Sequence, residues 1–247
     1  MTDQKTEAGG LTIVGIITAR GGSKGIPGKN LIPIRGRPLI SYTIEAALDS
    51  KVLDRIIVTT DDEKIAEVSR QFGAETPFVR PANLSGDWDP SYPVVVHALE
   101  WMAENEGYYP DYMMLMQPTS PMRIAEDIRN AVAIARDKDA DGVISIYEPK
   151  QHPKWMFELD EDGRFADFDP HERELSRRQS LEPRYMLNGS IYLVKRAVIM
   201  SQDNFYTSQT YALVMPRERS IDIDSIHDAR VVEMTMEDVA NQGRADG

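Results

Sequence analysis

The chain contains no cysteine. That excludes a disulfide framework, a thiolate metal site and a cysteine nucleophile, and it suits a reducing compartment. No apolar run approaches the roughly 18 residues that a membrane span needs. The first ten residues, MTDQKTEAGG, have neither the basic start nor the apolar stretch of an export signal and are expected to be disordered. These absences point to a cytoplasmic protein with no membrane partner. Positive charge is scarce as well: 28 basic residues against 40 acidic ones give a net charge of −12, the wrong sign for a protein that coats nucleic-acid phosphates. What is present suffices for a core, because 41% of the 247 residues are hydrophobic and 16 more are glycine, near the globular norm of roughly 45–50%.

The shortage of cations is reversed in one place. Between Ala8 and Ile44 there is no Asp or Glu, while Arg20, Lys24, Lys29, Arg35 and Arg37 all fall inside. A strongly anionic chain therefore keeps one cationic segment. A small polyanion needs such a segment, since local field rather than net charge decides its binding.

The hydrophobic pattern sets the fold class. Residues 11–18 form a continuous apolar, β-branched run of strand length, as expected of a strand buried on both faces. Helical spacing follows over 38–48, then a strand over 55–60 and a helix that Asp61 or Asp62 can cap and Gly73 stops. The alternation continues with strand 75–79, helix 92–104, strand 112–116, helix 124–136 and strand 142–147. Strand and helix in turn predict an α/β fold, a mainly parallel sheet flanked by helices. From about 148 to 215 the rhythm breaks into short strand-like pieces (155–159, 190–194, 212–215) between irregular charged stretches. This reads as an excursion from the sheet that serves dimerisation or covers a ligand. A closing helix over 226–239, capped by Asp224 or Ser225, completes one domain over 11–247. No internal repeat is visible.

The segment richest in chemistry is Ala19-Arg-Gly-Gly-Ser-Lys-Gly-Ile-Pro-Gly-Lys-Asn30, directly after the first strand. Its glycines let backbone N–H groups approach an anion closely, and Arg20, Lys24 and Lys29 can neutralise a triphosphate. Neither GxxxxGK[ST] nor GxGxxG can be placed on it, which sets aside two common nucleotide-binding families. His97, His152, His171 and His227 show no metal-ligand or triad spacing, and His97, on a helix, reads as a packing or surface residue. Thr119 and Ser120 are not in a nucleophile-elbow pattern.

The same segment resembles the signature loop of the acylneuraminate cytidylyltransferases, which activate sialic acid and related nonulosonic acids with CTP. Four further strings resemble that family in the same order: Arg80-Pro-Ala-Asn-Leu-Ser-Gly-Asp87, Met116-Gln-Pro-Thr-Ser-Pro-Met-Arg123, Asn188-Gly-Ser-Ile-Tyr192 and Ser220-Ile-Asp-Ile-Asp224. The resemblance implies a nucleotidyltransferase, Rossmann-like fold with a small dimerisation subdomain, a homodimer, and CTP and Mg²⁺ at the site. Carried over by position, Arg20, Gly21, Gly22, Ser23, Lys29 and Asn30 would hold the nucleotide, with Arg80 and Ser85 near the base and Asp87 supporting their loop. Gln117 would contact the acceptor sugar, as its amide both donates and accepts. Lys154 and Arg178 would meet the sugar's carboxylate, with Arg177 competing for the second role, and Tyr192 would line the sugar pocket.

Asp222 and Asp224 stand at i and i+2, so on a strand both carboxylates share one face. The pair is either a cap for the closing helix or a cation site in which Mg²⁺ bridges the carboxylates to CTP phosphates; the cationic loop and the resemblance favour the cation. In-line attack of the sugar's anomeric hydroxyl on the α-phosphorus would then need only positioning and charge neutralisation by Arg20, Lys29 and the metal. Two rivals stand beside this reading. One is a glycosyltransferase that uses Asp222-Ile-Asp224 to hold a finished nucleotide sugar; the other is a non-catalytic nucleotide-binding protein. Phe205 and Tyr206 either pack in their own chain or, as the resemblance implies, reach the sugar site of a dimer partner.

Overall fold

The computed structural model describes residues 11–23, 25–86, 90–167, 181–202 and 204–245. The first strand, β1 (Ile13–Thr18), is followed by a small antiparallel pair, β2 (Pro33–Ile34) and β3 (Arg37–Pro38), and by helix α1 (Leu39–Ser50). Next come β4 (Arg55–Thr59), α2 (Glu63–Gln71), α3 (Ser91–Glu106), β5 (Tyr112–Met116), α4 (Ala125–Lys138) and β6 (Gly142–Tyr147). A hairpin of β7 (Phe157–Leu159) and β8 (Phe165–Asp167) precedes the long β9 (Met186–Lys195). The short α5 (Arg196–Ile199), β10 (Thr210–Val214) and α6 (Ile226–Ala245) close the chain.

Six strands form one sheet in the order β10-β6-β9-β5-β1-β4. Only β9 is reversed, pairing antiparallel with both β5 and β6, while β1 is parallel to β4 and β5 and β10 is parallel to β6. The expected strand at 190–194 is thus longer at its start and lies inside the sheet. The expected strand over 75–79 does not form. A single bridge from Glu75 to Ile57 is all that remains of it, because Pro77 has no N–H to give to a ladder.

Period-two alternation along β1 explains the layers. Ile13 and Ile17 pack with α1, α2 and α4 through Ile40, Ile44, Ile65, Ile128 and Val132; Val14 and Ile16 pack with α3 and α5 through Val95, Leu99 and Ile199. With each face covered, a strand such as β1 has no water-facing side, and its near-continuous apolar run follows. A third, smaller cluster joins Ile26, Ile34, Leu39, Met122, Ile223 and Val232. It fastens the loop after β1, the segment after β5 and the start of α6 to one another. No helix among the described residues is long and apolar enough to cross a membrane.

The chain runs from β1 outward to β4 and then returns to place β5 on the other side of β1. The direction of winding reverses between β1 and β5, and in such sheets a crevice opens at the carboxyl ends of the strands there.

Candidate active site

A cavity of about 280 Å³ occupies that crevice and is lined by Arg20, Gly22, Ser23, Lys29, Asn30, Arg80, Gln117, Asp222 and Asp224. These come from four segments: the loop after β1, the stretch between α2 and α3, the residues after β5 and those after β10. The loop after β1 is held from several directions. Gly21 N–H donates to Asp61 Oδ1 at 2.9 Å, and a Cβ on Gly21 would meet Asp62 at 2.9 Å, so only glycine lets the loop pass so close. Asn30 is buried and donates through Nδ2 to the Arg20 carbonyl at 2.9 Å, while the Arg20 guanidinium reaches the Gly86 carbonyl. Arg80, 5% exposed, is tied to the end of β4 through the Thr59 hydroxyl at 3.2 Å and the Thr59 carbonyl.

Lys29 begins a one-turn 3₁₀ helix (Lys29–Leu31), and its Nζ donates to Asp224 Oδ1 and to the Ile223 carbonyl, both at 3.0 Å. Its side chain is 15% exposed and that of Asp224 is 78% exposed. An ion pair so open on one side contributes only about 0–1 kcal/mol, little enough to be exchanged for a phosphate.

Residues 221–224 belong to no ladder, which corrects the expectation that the carboxylate pair rides on a strand. The alternation survives nonetheless: Ile223 is fully buried, and its N–H donates to the Thr119 carbonyl at 2.9 Å, so Asp222 and Asp224 both face the cavity. Neither is the cap of α6. That cap is Ser225, whose hydroxyl accepts from Asp228 N–H at 3.3 Å while the Asp228 carboxylate accepts from Ser225 N–H at 2.7 Å, a reciprocal capping box. Asp222 remains open to the cavity but is crowded by protein. Loss of water raises its carboxyl above the ordinary range, with Asp224 pushing the same way and the Thr119 hydroxyl and Lys29 opposing. Among the described residues no three His, Asp or Glu side chains cluster closely enough to hold a metal alone. Two carboxylates on one cavity are the kind of oxygen donors that a hard cation takes together with phosphate oxygens and water.

A second cavity, of about 740 Å³, shares Gln117 and Asp222 with the first and continues along the start of β9. Three of the strings quoted above, 116–123, 188–192 and 220–224, meet here for a physical reason. Asn188 is buried, and its Oδ1 accepts from the Ser145 hydroxyl (2.6 Å) and Ser190 N–H (3.1 Å) while its Nδ2 donates to Ser220 Oγ (3.0 Å). The Ser120 hydroxyl donates to the Asn188 carbonyl at 2.9 Å. One asparagine thereby joins the segments at 120, 190 and 220. Gly189, at φ 70°, lies so close to Gln117 that a Cβ there would sit 2.5 Å from Gln117 Oε1; the glycine is what lets the amide face the cavity. Arg123, the last residue of the string 116–123 and not among the expected site residues, is buried. It donates to the Gln117 carbonyl (2.9 Å), the Ser190 carbonyl (2.7 Å) and the Thr43 hydroxyl (3.1 Å). Burial lowers its pKa to about 9, partly offset by Asp127.

Other expected residues stand elsewhere. Ser85 does not line the first cavity; its hydroxyl donates to the Pro81 carbonyl at 3.1 Å, and its neighbours Leu84 and Gly86 form the wall instead. Lys154 belongs to a 3₁₀ turn (Pro153–Trp155) and is not in the wall of the second cavity, where Lys150, Gln151 and Arg217 supply the polar side chains that spacing did not pick out. Arg178 and its rival Arg177, and also Lys24, Asp87 and His171, lie outside the described residues. Tyr192 does line the second cavity, with its hydroxyl pKa pushed up to about 12, chiefly by burial. Phe205 packs on Tyr92 and Tyr192 of its own chain, with ring centroids 5.8 and 5.6 Å away, and Tyr206 beside it is 43% exposed. His97 packs edge-on against Phe78 at 5.0 Å, in keeping with the packing role, and burial lowers its pKa. His152 Nε2 bonds to the Glu182 carbonyl at 3.0 Å.

Known proteins resemble this chain in sequence and fold. A cytidylyltransferase family profile matches residues 14–229. The chain is 35% identical over 228 residues to a CMP-N,N'-diacetyllegionaminic acid synthase of Legionella pneumophila, covering 92% of this chain and 97% of the relative. It is 34% identical over 215 residues to an N-acylneuraminate cytidylyltransferase of Streptococcus agalactiae, covering 86% of this chain and 50% of the relative, so it spans about half of the streptococcal protein. Among solved structures, a CMP:2-keto-3-deoxy-manno-octonic acid synthetase complexed with CTP matches with a TM-score of 0.67 over 92% of this chain and 99% of that one, at 19% identity, a likeness of fold.

Proposed function

The chain belongs to the cytidylyltransferase family, and we propose that it transfers the cytidylyl group of CTP to the anomeric hydroxyl of a nonulosonic acid, releasing pyrophosphate. The observation that carries this reading is the joining of two cavities at Gln117 and Asp222, with Lys29 and Arg20 on the wall of the smaller one. One cavity suits a polyphosphate and the other a polar acceptor, and their junction is where the two would react.

In this mechanism Arg20 and Lys29 bind the phosphates and neutralise the charge that builds on the leaving pyrophosphate. Gln117 orients the acceptor so that its anomeric oxygen faces the α-phosphorus in line with the bond to the β-phosphate. That oxygen forms the new P–O bond, the bond to the bridging oxygen breaks, and the electron pair leaves with pyrophosphate. Asp222, with its raised carboxyl, is the group at the junction able to take the hydroxyl proton. A bound Mg²⁺, held by Asp222 and Asp224, would supply charge neutralisation at the phosphates. A glycosyltransferase that holds a finished nucleotide sugar would not need Lys29 and Arg20 directly after the first strand, and a non-catalytic binder would not need the second cavity to open onto the first.

The test is direct. Purified protein given CTP, Mg²⁺ and a panel of nonulosonic acids is expected to release pyrophosphate and form a CMP-sugar, and excess chelator should stop it. Turnover that persists in chelator would take the metal out of the mechanism; CTP binding without pyrophosphate release from any acceptor would leave a binding protein.

We further propose a cytoplasmic homodimer. The hairpin β7–β8 and its approach expose Trp155, Met156, Phe157, Leu159 and Phe165, an apolar group of the kind that marks an association surface. The expected mass in sedimentation equilibrium at micromolar concentration is that of two chains; a monomer there would remove the dimer.

A further inference from the structure

We propose that Arg123 is a positioning residue for the acceptor: its guanidinium holds β5 and β9 apart at the carboxyl end of β5 and so fixes Gln117 where its amide meets the sugar. The inference rests on the cytidylyl-transfer reading and deepens it by adding a residue that lines neither cavity and is 2% exposed. It starts from a break in the sheet. The antiparallel ladder between β5 and β9 ends at Leu115 and Tyr192. In that register Gln117 would next face Ser190, two residues on, yet no rung forms there. Instead β5 continues beside β1 as far as Met116, while β9 continues beside β6 with its register slipping from Ile144–Tyr192 to Ile146–Leu187. A bulge of this kind bends a strand and turns its residues aside. The two strands part, and the larger cavity begins in the gap, with Gln117, Asn188, Gly189 and Tyr192 on its wall.

The guanidinium of Arg123 fills that gap. One edge of it, Nε and Nη2, donates to the Ser190 carbonyl at 2.7 Å and the Gln117 carbonyl at 2.9 Å, the carbonyls of the two residues that face each other at the missing rung. The remaining corner, Nη1, donates to the Thr43 hydroxyl on α1 at 3.1 Å and sets the rotation of the plane. A planar fork with donors on three nitrogens can span two strands and a helix at once, whereas an ammonium is a point charge with no such plane. Stability alone gives little reason for the arrangement. Asp127 acts on Arg123 through space, because both of its carboxylate oxygens accept from Arg219 at 2.9 Å. A buried cation without a carboxylate of its own is a poor way to stabilise a fold, so its contribution is geometry. Gln117 is fixed at both ends: its carbonyl by Arg123 and by the Ser120 N–H at 3.3 Å, its side chain by the close approach of Gly189.

The experiment measures kcat/KM for the acceptor and KM for CTP by pyrophosphate release in Arg123→Lys, Gln117→Ala and the double variant, at enzyme concentrations high enough to read the slowest of them. Lysine keeps the buried charge but cannot bridge the two carbonyls. Arg123→Lys should therefore lose at least about tenfold in acceptor kcat/KM, with KM for CTP within about twofold of wild type. In the Gln117→Ala background the same substitution should cost less than about twofold, because the residue it acts through is already gone. A general loosening of the fold would instead raise both KM values and add in full to Gln117→Ala. Wild-type acceptor use in Arg123→Lys overturns the inference, and so does an undiminished loss in the Gln117→Ala background. Should Arg123→Lys fail to fold, Thr43→Val leaves the charge in place, removes the anchor of its plane and carries the same two readings at about threefold; no loss there, or a loss that Gln117→Ala does not absorb, overturns the inference equally. A wild type that turns over while these variants keep its acceptor use sinks the role of Arg123 alone, whereas a wild type that releases no pyrophosphate with any nonulosonic acid brings down the transfer reading and the inference with it.

Discussion

Lys29→Met is expected to lower kcat/KM for CTP by about a hundredfold, ~2.7 kcal/mol, and at the same time to raise the affinity of the nucleotide-free protein for Mg²⁺. The two effects have one cause. Without nucleotide, the Lys29 ammonium sits 3.0 Å from Asp224 Oδ1 and so occupies one side of the carboxylate pair that a cation would use. Its second bond, to the Ile223 carbonyl, keeps it there. When a triphosphate enters, the ammonium gains a more highly charged partner and Asp224 is released, so nucleotide and cation are expected to bind better together than apart. Methionine keeps most of the length of the side chain but has no charge; it cannot neutralise the phosphates, and it leaves Asp224 open from the start. Calorimetric titration with Mg²⁺, with and without CTP, reads the second effect independently of turnover. Arg230→Ala, on the exposed side of α6, is the control for general loss of positive charge. If Arg230→Ala matches the loss in CTP use, the phosphates bind elsewhere; if the free variant binds Mg²⁺ no better than wild type, the ammonium does not hold the cation's place.

The parts of this site that could be read in the sequence are those whose chemistry is local. A glycine-rich, acid-free loop after a buried strand declares its affinity for anions whatever it packs against. The alternation in Ile221-Asp-Ile-Asp224 placed both carboxylates on the cavity even though no strand forms, because burial of Ile223 alone is enough to impose a period of two. What could not be read depends on distant partners. The place of β9 between β5 and β6, and its reversed direction, come from two long-range ladders that leave no local mark. The choice of Lys150 over Lys154 for the cavity wall depends on how a 3₁₀ turn rotates a four-residue interval. Arg123 is the clearest case. An arginine next to a helix start reads as surface charge, yet here its three donors close three carbonyl and hydroxyl acceptors in the interior and so fix the carbonyl of Gln117. The strand expected at 75–79 fails at Pro77, a signal in the sequence that periodicity outweighs.

Asp222→Asn is expected to reduce turnover by at least about tenfold, ~1.4 kcal/mol of transition-state stabilisation, while the melting temperature at neutral pH stays the same or rises. A structural carboxylate would behave in the opposite way. Asp222 makes no cap, since Ser225 and Asp228 close the start of α6 between them. Its carboxyl is raised above the ordinary range by burial and by Asp224. In the interval between the ordinary value and this raised one, the folded protein binds more protons than the unfolded chain, so stability falls as pH rises through the interval and stays lower above it. Asparagine has no charge to desolvate, so the variant should lack that fall. Activity moves the other way with pH. The ionised carboxylate is the form that can ligate a cation or accept the hydroxyl proton, so wild-type turnover should decline as falling pH protonates it. Asp224→Asn offers the comparison, because that side chain is mostly exposed and its replacement should cost turnover and the Lys29 ion pair with little change in stability. An Asp222→Asn protein that keeps its turnover and melts earlier would make Asp222 a structural residue, and the proton would have to leave the sugar by another route.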